Sequence, residues 1–207
     1  MARPIEPHEL KEVVGTCHDD EKGIRDRALL LLQFVGGFRL SECLALKVED
    51  VFFIPTLGMD IRVVRSKTDQ EFRGRWVAVP RQEGDFCPVK AVERRIGWME
   101  AQGGKVFDKK GRPIPLGQYP LFSPRGKPGR HLHIRNAQLM IDERGAEACI
   151  KGITSHSLRA GFVTTALERG MTPLDVARVT GHKRIEMVAR YDRRNRWVNP
   201  AGKGIME

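Results

Sequence analysis

This chain of 207 residues has little with which to staple, anchor or metallate itself. Its four cysteines, Cys17, Cys43, Cys87 and Cys149, lie far apart and form no CxxC pair. That spacing argues against a disulfide framework, and free core thiols in a reducing compartment are expected. No apolar run approaches the ~18 residues that span a bilayer. The stretch Met1–Glu6 has no apolar secretory core, so the chain is expected in the cytoplasm. Nor is there a long basic amphipathic helix with an aromatic face, which argues against life on an anionic membrane. His131 and His133 stand two apart with no carboxylate or cysteine beside them at ligand spacing. No metal site and no cofactor are therefore expected. There is no internal repeat. Tyrosine is scarce, with Tyr119 and Tyr191 alone, so any phenol chemistry falls to one of two residues.

Charge is what the chain has in quantity. Lysine and arginine number 36 against 26 acids, for a net charge of +10 and a pI near 9.8. With 41% hydrophobic residues, this is a core-forming chain of one large domain or two small ones rather than a disordered tail. A basic globular domain points to a polyanion, most often nucleic acid.

Taken in order, residues 4–14 read as a short surface helix opening with proline. Residues 25–35 read as a central helix, apolar on most faces and stopped by Gly36-Gly37. Ser41 is placed to cap a helix over Glu42–Leu46. Residues 60–79 suggest a β-hairpin, with strands at 60–66 and 75–79 and a polar stretch 67–74 between them. Residues 88–101 form an amphipathic helix whose stripe of Val89, Val92, Ile96 and Met99 belongs to the core. Residues 103–133 look like a long loop rich in proline. Helices follow over 134–147, from Thr154 or Ser155 to Gly170, from Thr172 to Gly181, and from about Ile185 to Arg194. The fold class expected is α+β, mainly α-helical with a small antiparallel β-hairpin.

The chemistry-bearing residues are scattered through this frame. Arg39 stands just before a helix N-terminus, where backbone N–H groups and the helix dipole favour anions and an arginine can grip a phosphate with two donors. The plain alternative is a surface arginine paired with Glu42. Lys67 sits where the first hairpin strand meets its turn, and is otherwise a solvated charge. His156 and Arg159 share an HxxR spacing, His182 follows Gly181, and Tyr191 comes nine residues later. Either histidine taken alone is as well read as a satisfied buried side chain. In the 103–133 loop, Lys105, Lys109, Lys110, Arg112, Arg125, Lys127 and Arg130 face Asp108 alone. A long basic loop of this kind is expected to meet the DNA backbone.

Phe38-Arg39-Leu40-Ser41-Glu42, Lys67 in a hairpin, His156-x-x-Arg159, Gly181-His182 and Tyr191 together resemble the catalytic domain of the tyrosine recombinases, the phage-integrase family. Order and spacing agree over about residues 3–195. The resemblance implies the fold of the DNA breaking-rejoining enzymes and a reaction on double-stranded DNA without metal or ATP. Tyr191 would be the nucleophile, forming a 3′-phosphotyrosine. Arg39 and Arg159 would hold the non-bridging oxygens, and Lys67 would protonate the leaving 5′-oxygen. His156 would act as acid/base or position the phosphate, His182 would hydrogen-bond a phosphate oxygen, and Glu42 would support the site. It further implies a homotetramer on two DNA sites, monomeric or weakly associated when free, and association with the nucleoid of a bacterial or phage system. The segment after Tyr191 would serve for docking. The family's separate N-terminal clamping domain is expected to be absent, leaving residues 1–207 as a catalytic domain alone.

Three rivals stay open at this level. Residues 172–191 also resemble a helix-turn-helix, which would make the chain a non-enzymatic DNA binder. A type IB topoisomerase uses a similar set of groups to relax supercoils. A metal-dependent nuclease lacks the carboxylate cluster it needs.

Overall fold

The computed structural model describes residues 2–64, 74–102, 106–108, 110–182 and 184–191. Eight α-helices and three strands are present among them, in the order α1 (Pro7–Gly15), α2 (Glu21–Val35), α3 (Leu40–Ala45), β1 (Val51–Ile54), β2 (Gly58–Val63), β3 (Arg75–Pro80), α4 (Pro88–Ala101), α5 (Ile134–Glu147), α6 (Ser155–Glu168), α7 (Pro173–Thr180) and α8 (Ile185–Ala189).

The centre is α2, as its apolar run predicts. Asp20 caps it by accepting from Gly23 N at 2.7 Å, so the helix begins earlier than residue 25. Ala28 to Leu32 are all buried, and α2 packs against α4 on one side and α6 on another. The first helix starts at Pro7, not Pro4, because Glu9 returns to the Glu6 backbone N–H at 2.9 Å and sets the first turn there. Val89, Val92 and Met99 of α4 are buried as expected, with Ile96 packed partly against the same core.

The expected hairpin is part of a three-stranded antiparallel sheet in the order β1-β2-β3. Its register pairs Ile61 with Val51 on one side and Val77 on the other. Met59, Ile61, Val63, Val77 and Val79 form the inner face. β1 escapes a sequence reading because Val51-Phe52-Phe53-Ile54 is only four residues long and shows no alternation. Outside, Phe52 and Trp76 stay exposed with ring centroids 5.2 Å apart.

The long 103–133 stretch is not simply a loop. Tyr119, Leu121, Phe122 and Leu132 are buried, and Leu121 N donates to Leu46 O at 2.9 Å while Leu132 N donates to Phe122 O at 3.0 Å. The basic segment 125–130 is therefore pinned at both ends. Cys17, Cys43 and Cys87 are buried free thiols, but Cys149 is exposed, because it sits in the turn after α5 with φ 57°. Among the described residues no helix is long and apolar enough to cross a membrane.

The last helices form a smaller cluster of their own, with Val163, Ala166, Leu167, Val176, Ala177 and Val188 buried and Tyr191 packed partly against it. Thr154, not Ser155, caps α6, accepting from Ser157 N while Ser157 Oγ accepts from Thr154 N. Thr172 caps α7 through Asp175 N at 3.2 Å.

Candidate active site

The site is assembled from α3, β3, α6, α7 and the turn after α8. Arg39 is the N-cap residue of α3, which corrects the expectation that Ser41 would hold that place. Glu42 caps the helix instead, accepting from Arg39 N at 2.9 Å and from Arg39 Nη1 at 2.8 Å. Ser41 is exposed in the first turn. The pairing of Arg39 with Glu42 that the sequence allowed is thus present, but it lies at a buried carboxylate rather than on an open surface.

Glu42 is 1% exposed and has a second arginine that sequence reading passed over. Arg75, the first residue of β3, donates Nη2 to Oε2 at 2.8 Å and Nη1 to Oε1 at 3.2 Å. Burial alone would raise the Glu42 carboxyl. The Arg75 hydrogen bonds and charge, with the Arg39 contacts, outweigh it and take the group down to about 2. Arg75 also donates Nε to Val179 O at 3.2 Å, which ties β3 to α7.

Arg159 projects from α6 into the opposite wall. It is 7% exposed and donates Nη1 to Gly37 O at 2.6 Å, and Nη2 to Thr180 O at 2.8 Å and to His182 Nε2 at 3.1 Å. Among the described residues no carboxylate forms an ion pair with it. Burial and the nearby Arg39 charge bring its guanidinium down to about 10, so it stays a cation at neutral pH. Gly37 serves it with φ 59°, and a Cβ there would stand 2.5 Å from the Phe162 ring.

His182 follows Gly181, which ends α7 in the left-handed region with φ 68°. A side chain on Gly181 would also press on the Arg75 guanidinium, 3.2 Å away. The His182 ring lies between Arg159 and Thr180, with Nδ1 2.6 Å from Thr180 Oγ1. Burial first, then the charges of Arg159 and Arg39, lower its imidazole to about 4. His156 stands exposed in the first turn of α6, one turn before Arg159.

Tyr191 lies in the turn just past α8, its N–H donating to Val188 O at 2.9 Å. It is not on the helix, which ends at Ala189 rather than near Arg194. Arg39, His156, Arg159, His182 and Tyr191 all line one cleft of about 440 Å³, together with Ala160, Val163, Arg184 and Met187. Five of the six residues singled out for chemistry are therefore in one place. The sixth, Lys67, lies outside the described residues, as do Lys105 and Lys109 of the basic loop.

The remaining loop cations, Lys110, Arg112, Arg125, Lys127 and Arg130, are all exposed. Arg112 is engaged by Asp108 at 2.8 Å. His131 meets Leu44 O through Nδ1 at 2.7 Å, and His133 caps α5 by accepting from Arg135 N. Tyr119 is buried, its hydroxyl accepting from Val106 N at 2.7 Å, which leaves Tyr191 as the phenol on a cleft.

Comparison with known proteins identifies the family and the fold. The family model described as "Phage integrase family" matches residues 3–196. The chain belongs to the phage integrase family. A similar curated protein is the "Integrase/recombinase xerD homolog" of Selenomonas ruminantium, 32% identical over 193 residues, which cover 86% of this chain and 50% of that protein. Another is "Tyrosine recombinase XerC" of Vibrio atlanticus (strain LGP32), 24% identical over 194 residues, covering 92% of this chain and 54% of the relative. The chain thus spans about half the length of these curated relatives. Among solved structures, the XerH site-specific recombinase bound to difH substrate superposes with a TM-score of 0.71 at 17% identity, covering 100% of this chain and 54% of that one. A lambda integrase dimer bound to a COC′ core site gives 0.56 at 16% identity, covering 96% and 50%. These structural likenesses establish a shared integrase fold: mainly helical, with a small antiparallel sheet.

Proposed function

We propose that this member of the phage integrase family cleaves and rejoins double-stranded DNA at specific sites through a covalent 3′-phosphotyrosine on Tyr191. The observation that carries the reading is the convergence of Arg39, His156, Arg159, His182 and Tyr191 on one cleft. In the reaction, Tyr191 Oη attacks a DNA phosphorus, the bond from phosphorus to the 5′-oxygen breaks, and a free 5′-hydroxyl leaves. Reversal by a 5′-hydroxyl of another strand rejoins the backbone, and because the ester stores the bond, no ATP is consumed.

Each group has a task that its setting favours. Arg159, a buried cation without a carboxylate partner among the described residues, offers its charge to the non-bridging oxygens and to the transition state. Arg39, oriented by Glu42, adds a second cation. His156, exposed on the cleft, is assigned proton exchange or the steadying of the phosphate, and His182 a hydrogen bond to a phosphate oxygen. Lys67 is assigned the proton delivered to the leaving 5′-oxygen, on the sequence resemblance alone. The cations at 105–130 are assigned to backbone phosphates along the duplex. The working assembly is a homotetramer on two duplexes, with the segment after Tyr191, outside the described residues, as its docking piece.

The test is covalent capture on nicked suicide duplexes drawn from a sequence pool, resolved on a denaturing gel beside Tyr191→Phe. A shifted band in wild type only is expected, with both proteins binding DNA alike. A band that survives in the phenylalanine variant would remove Tyr191 from the chemistry. Binding without any band would favour the helix-turn-helix reading. Sizing of synapsed complexes tests the assembly, with four chains on two duplexes expected and single chains at each site overturning it.

A further inference from the structure

Thr180 ends α7 fully buried, 0% exposed, two residues before His182. Its hydroxyl lies 2.6 Å from Val176 O and 2.6 Å from His182 Nδ1. A hydroxyl carries one proton, and a carbonyl can only accept. The proton therefore goes to Val176 O, and the short contact with the ring has to be made by an N–H on Nδ1. On the other side, Nε2 faces Arg159 Nη2 at 3.1 Å. A guanidinium can only donate, so Nε2 presents its lone pair. Two independent neighbours select the same tautomer.

We propose that Thr180 is a positioning residue for His182. Its hydroxyl oxygen takes the Nδ1–H and keeps Nε2 as the nitrogen presented to the cleft. With the site empty, Nε2 accepts from Arg159; with a phosphate bound, Nε2 gains a proton from solvent and donates to a phosphate oxygen. The bond from Nδ1–H to Thr180 is the same in both states, so the ring does not turn. The inference rests on the reading of the cleft as a phosphodiester site.

The alternative tautomer is costly here. It requires the Thr180 proton to leave Val176 O for Nδ1 and points an N–H at a guanidinium. The charges that govern proton uptake come from Arg159 on α6, Arg39 and Glu42 on α3, and Arg75 on β3, with the Tyr191 phenol beside Arg159. A phosphate arriving among these groups, with Arg184 also on the cleft, supplies the negative charge that makes a protonated imidazole favourable.

The test compares wild type, Thr180→Val and Thr180→Ser in the full chain. Valine keeps the branched shape and removes the hydroxyl; serine keeps the hydroxyl. The first measurement is the ¹⁵N spectrum of the His182 ring in the free protein at neutral pH, assigned by its loss in His182→Asn. Wild type and the serine variant are expected to show the Nδ1–H tautomer, and the valine variant to shift toward Nε2–H. The second is the rate of covalent capture on a nicked duplex. The valine variant is expected to slow by at least tenfold with DNA affinity within twofold, and the serine variant to recover most of the rate.

A valine variant with the wild-type tautomer, or with the wild-type capture rate, overturns the proposal. Should the valine chain fail to fold, the wild-type spectrum decides: an Nε2–H ring in wild type overturns it. If wild type forms no adduct on any duplex, the functional reading fails, whereas the tautomer result still reports separately on Thr180.

Discussion

The two walls of the cleft hold their arginines in opposite ways. On the α3 and β3 side, Arg39 and Arg75 share the buried Glu42 carboxylate. On the α6 and α7 side, Arg159 is held by two backbone carbonyls and a neutral imidazole nitrogen. The first wall commits much of its charge to its own architecture and joins α3 to β3. The second wall orients a cation without neutralising it. Neutral acceptors orient a guanidinium, yet leave its charge for an incoming anion. Hence the strongest electrostatic pull of the site is expected at Arg159, and the strongest contribution to folding at Glu42.

The largest expected effect breaks this contrast on the Arg159 side. Arg159→Lys retains the charge but not the fork that reaches Gly37 O, Thr180 O and His182 together. Covalent capture should fall by about 10²–10³-fold, the usual cost of one well-placed transition-state donor, measured as single-turnover rates at saturating DNA. A drop of under tenfold would mean that charge without orientation is enough.

On the other wall, Glu42→Gln leaves two arginines facing a neutral amide. Breaking a buried pair on one side costs about 3 kcal/mol, to be measured as the decrease in unfolding free energy in urea. Activity should follow through folding and the placement of Arg39. An unchanged midpoint would show that the two arginines find other partners cheaply.

Acid sharpens the comparison, because the two walls fail in different windows. The lowered imidazole of His182 means that the folded state binds fewer protons than the unfolded chain between its ordinary value of 6.5 and about 4. Stability present above 6.5 is thus lost as pH falls through that range. Glu42 behaves likewise from its ordinary 4.5 down to about 2. Urea titrations over pH should therefore show two successive declines, and His182→Asn should flatten only the upper one.

The smallest effect lies away from the cleft. Replacing Arg125, Lys127 and Arg130 with glutamine should leave melting unchanged, since all three are exposed. It should also reduce the slope of log affinity against log salt by roughly 0.9 for each phosphate that is no longer neutralised. An unaltered slope would take this segment out of the DNA interface.

Local signals carried much of the fold. The apolar run of α2, the Thr172-Pro173 start of α7 and the hydrophobic stripe of α4 each depend on residues close in sequence; α4 and α7 formed where their patterns put them, and α2 did so with an earlier start at Glu21. Corrections came at a helix cap that a group far along the chain supports and at the end of the last helix. Arg39 took the cap position from Ser41 because Glu42 returns to it and is itself held by Arg75. Tyr191 came off α8 because that helix ends at Ala189. Lys67 lies outside the described residues.

By itself, the sequence determined the helices, the hairpin, the basic character and a set of residues spread from Arg39 to Tyr191 whose types suit phosphodiester chemistry. Periodicity, capping and composition are properties of neighbouring residues, and spacing is visible in one dimension. Only the tertiary structure decided that five of those residues share a cleft and that Glu42 serves two arginines. It alone showed that Arg159 is held by two backbone carbonyls and an imidazole nitrogen, and that the Thr180 hydroxyl lies against Nδ1 of His182. Those facts follow from burial and hydrogen-bond geometry between elements far apart in the chain, where the removal of water makes each donor find its acceptor.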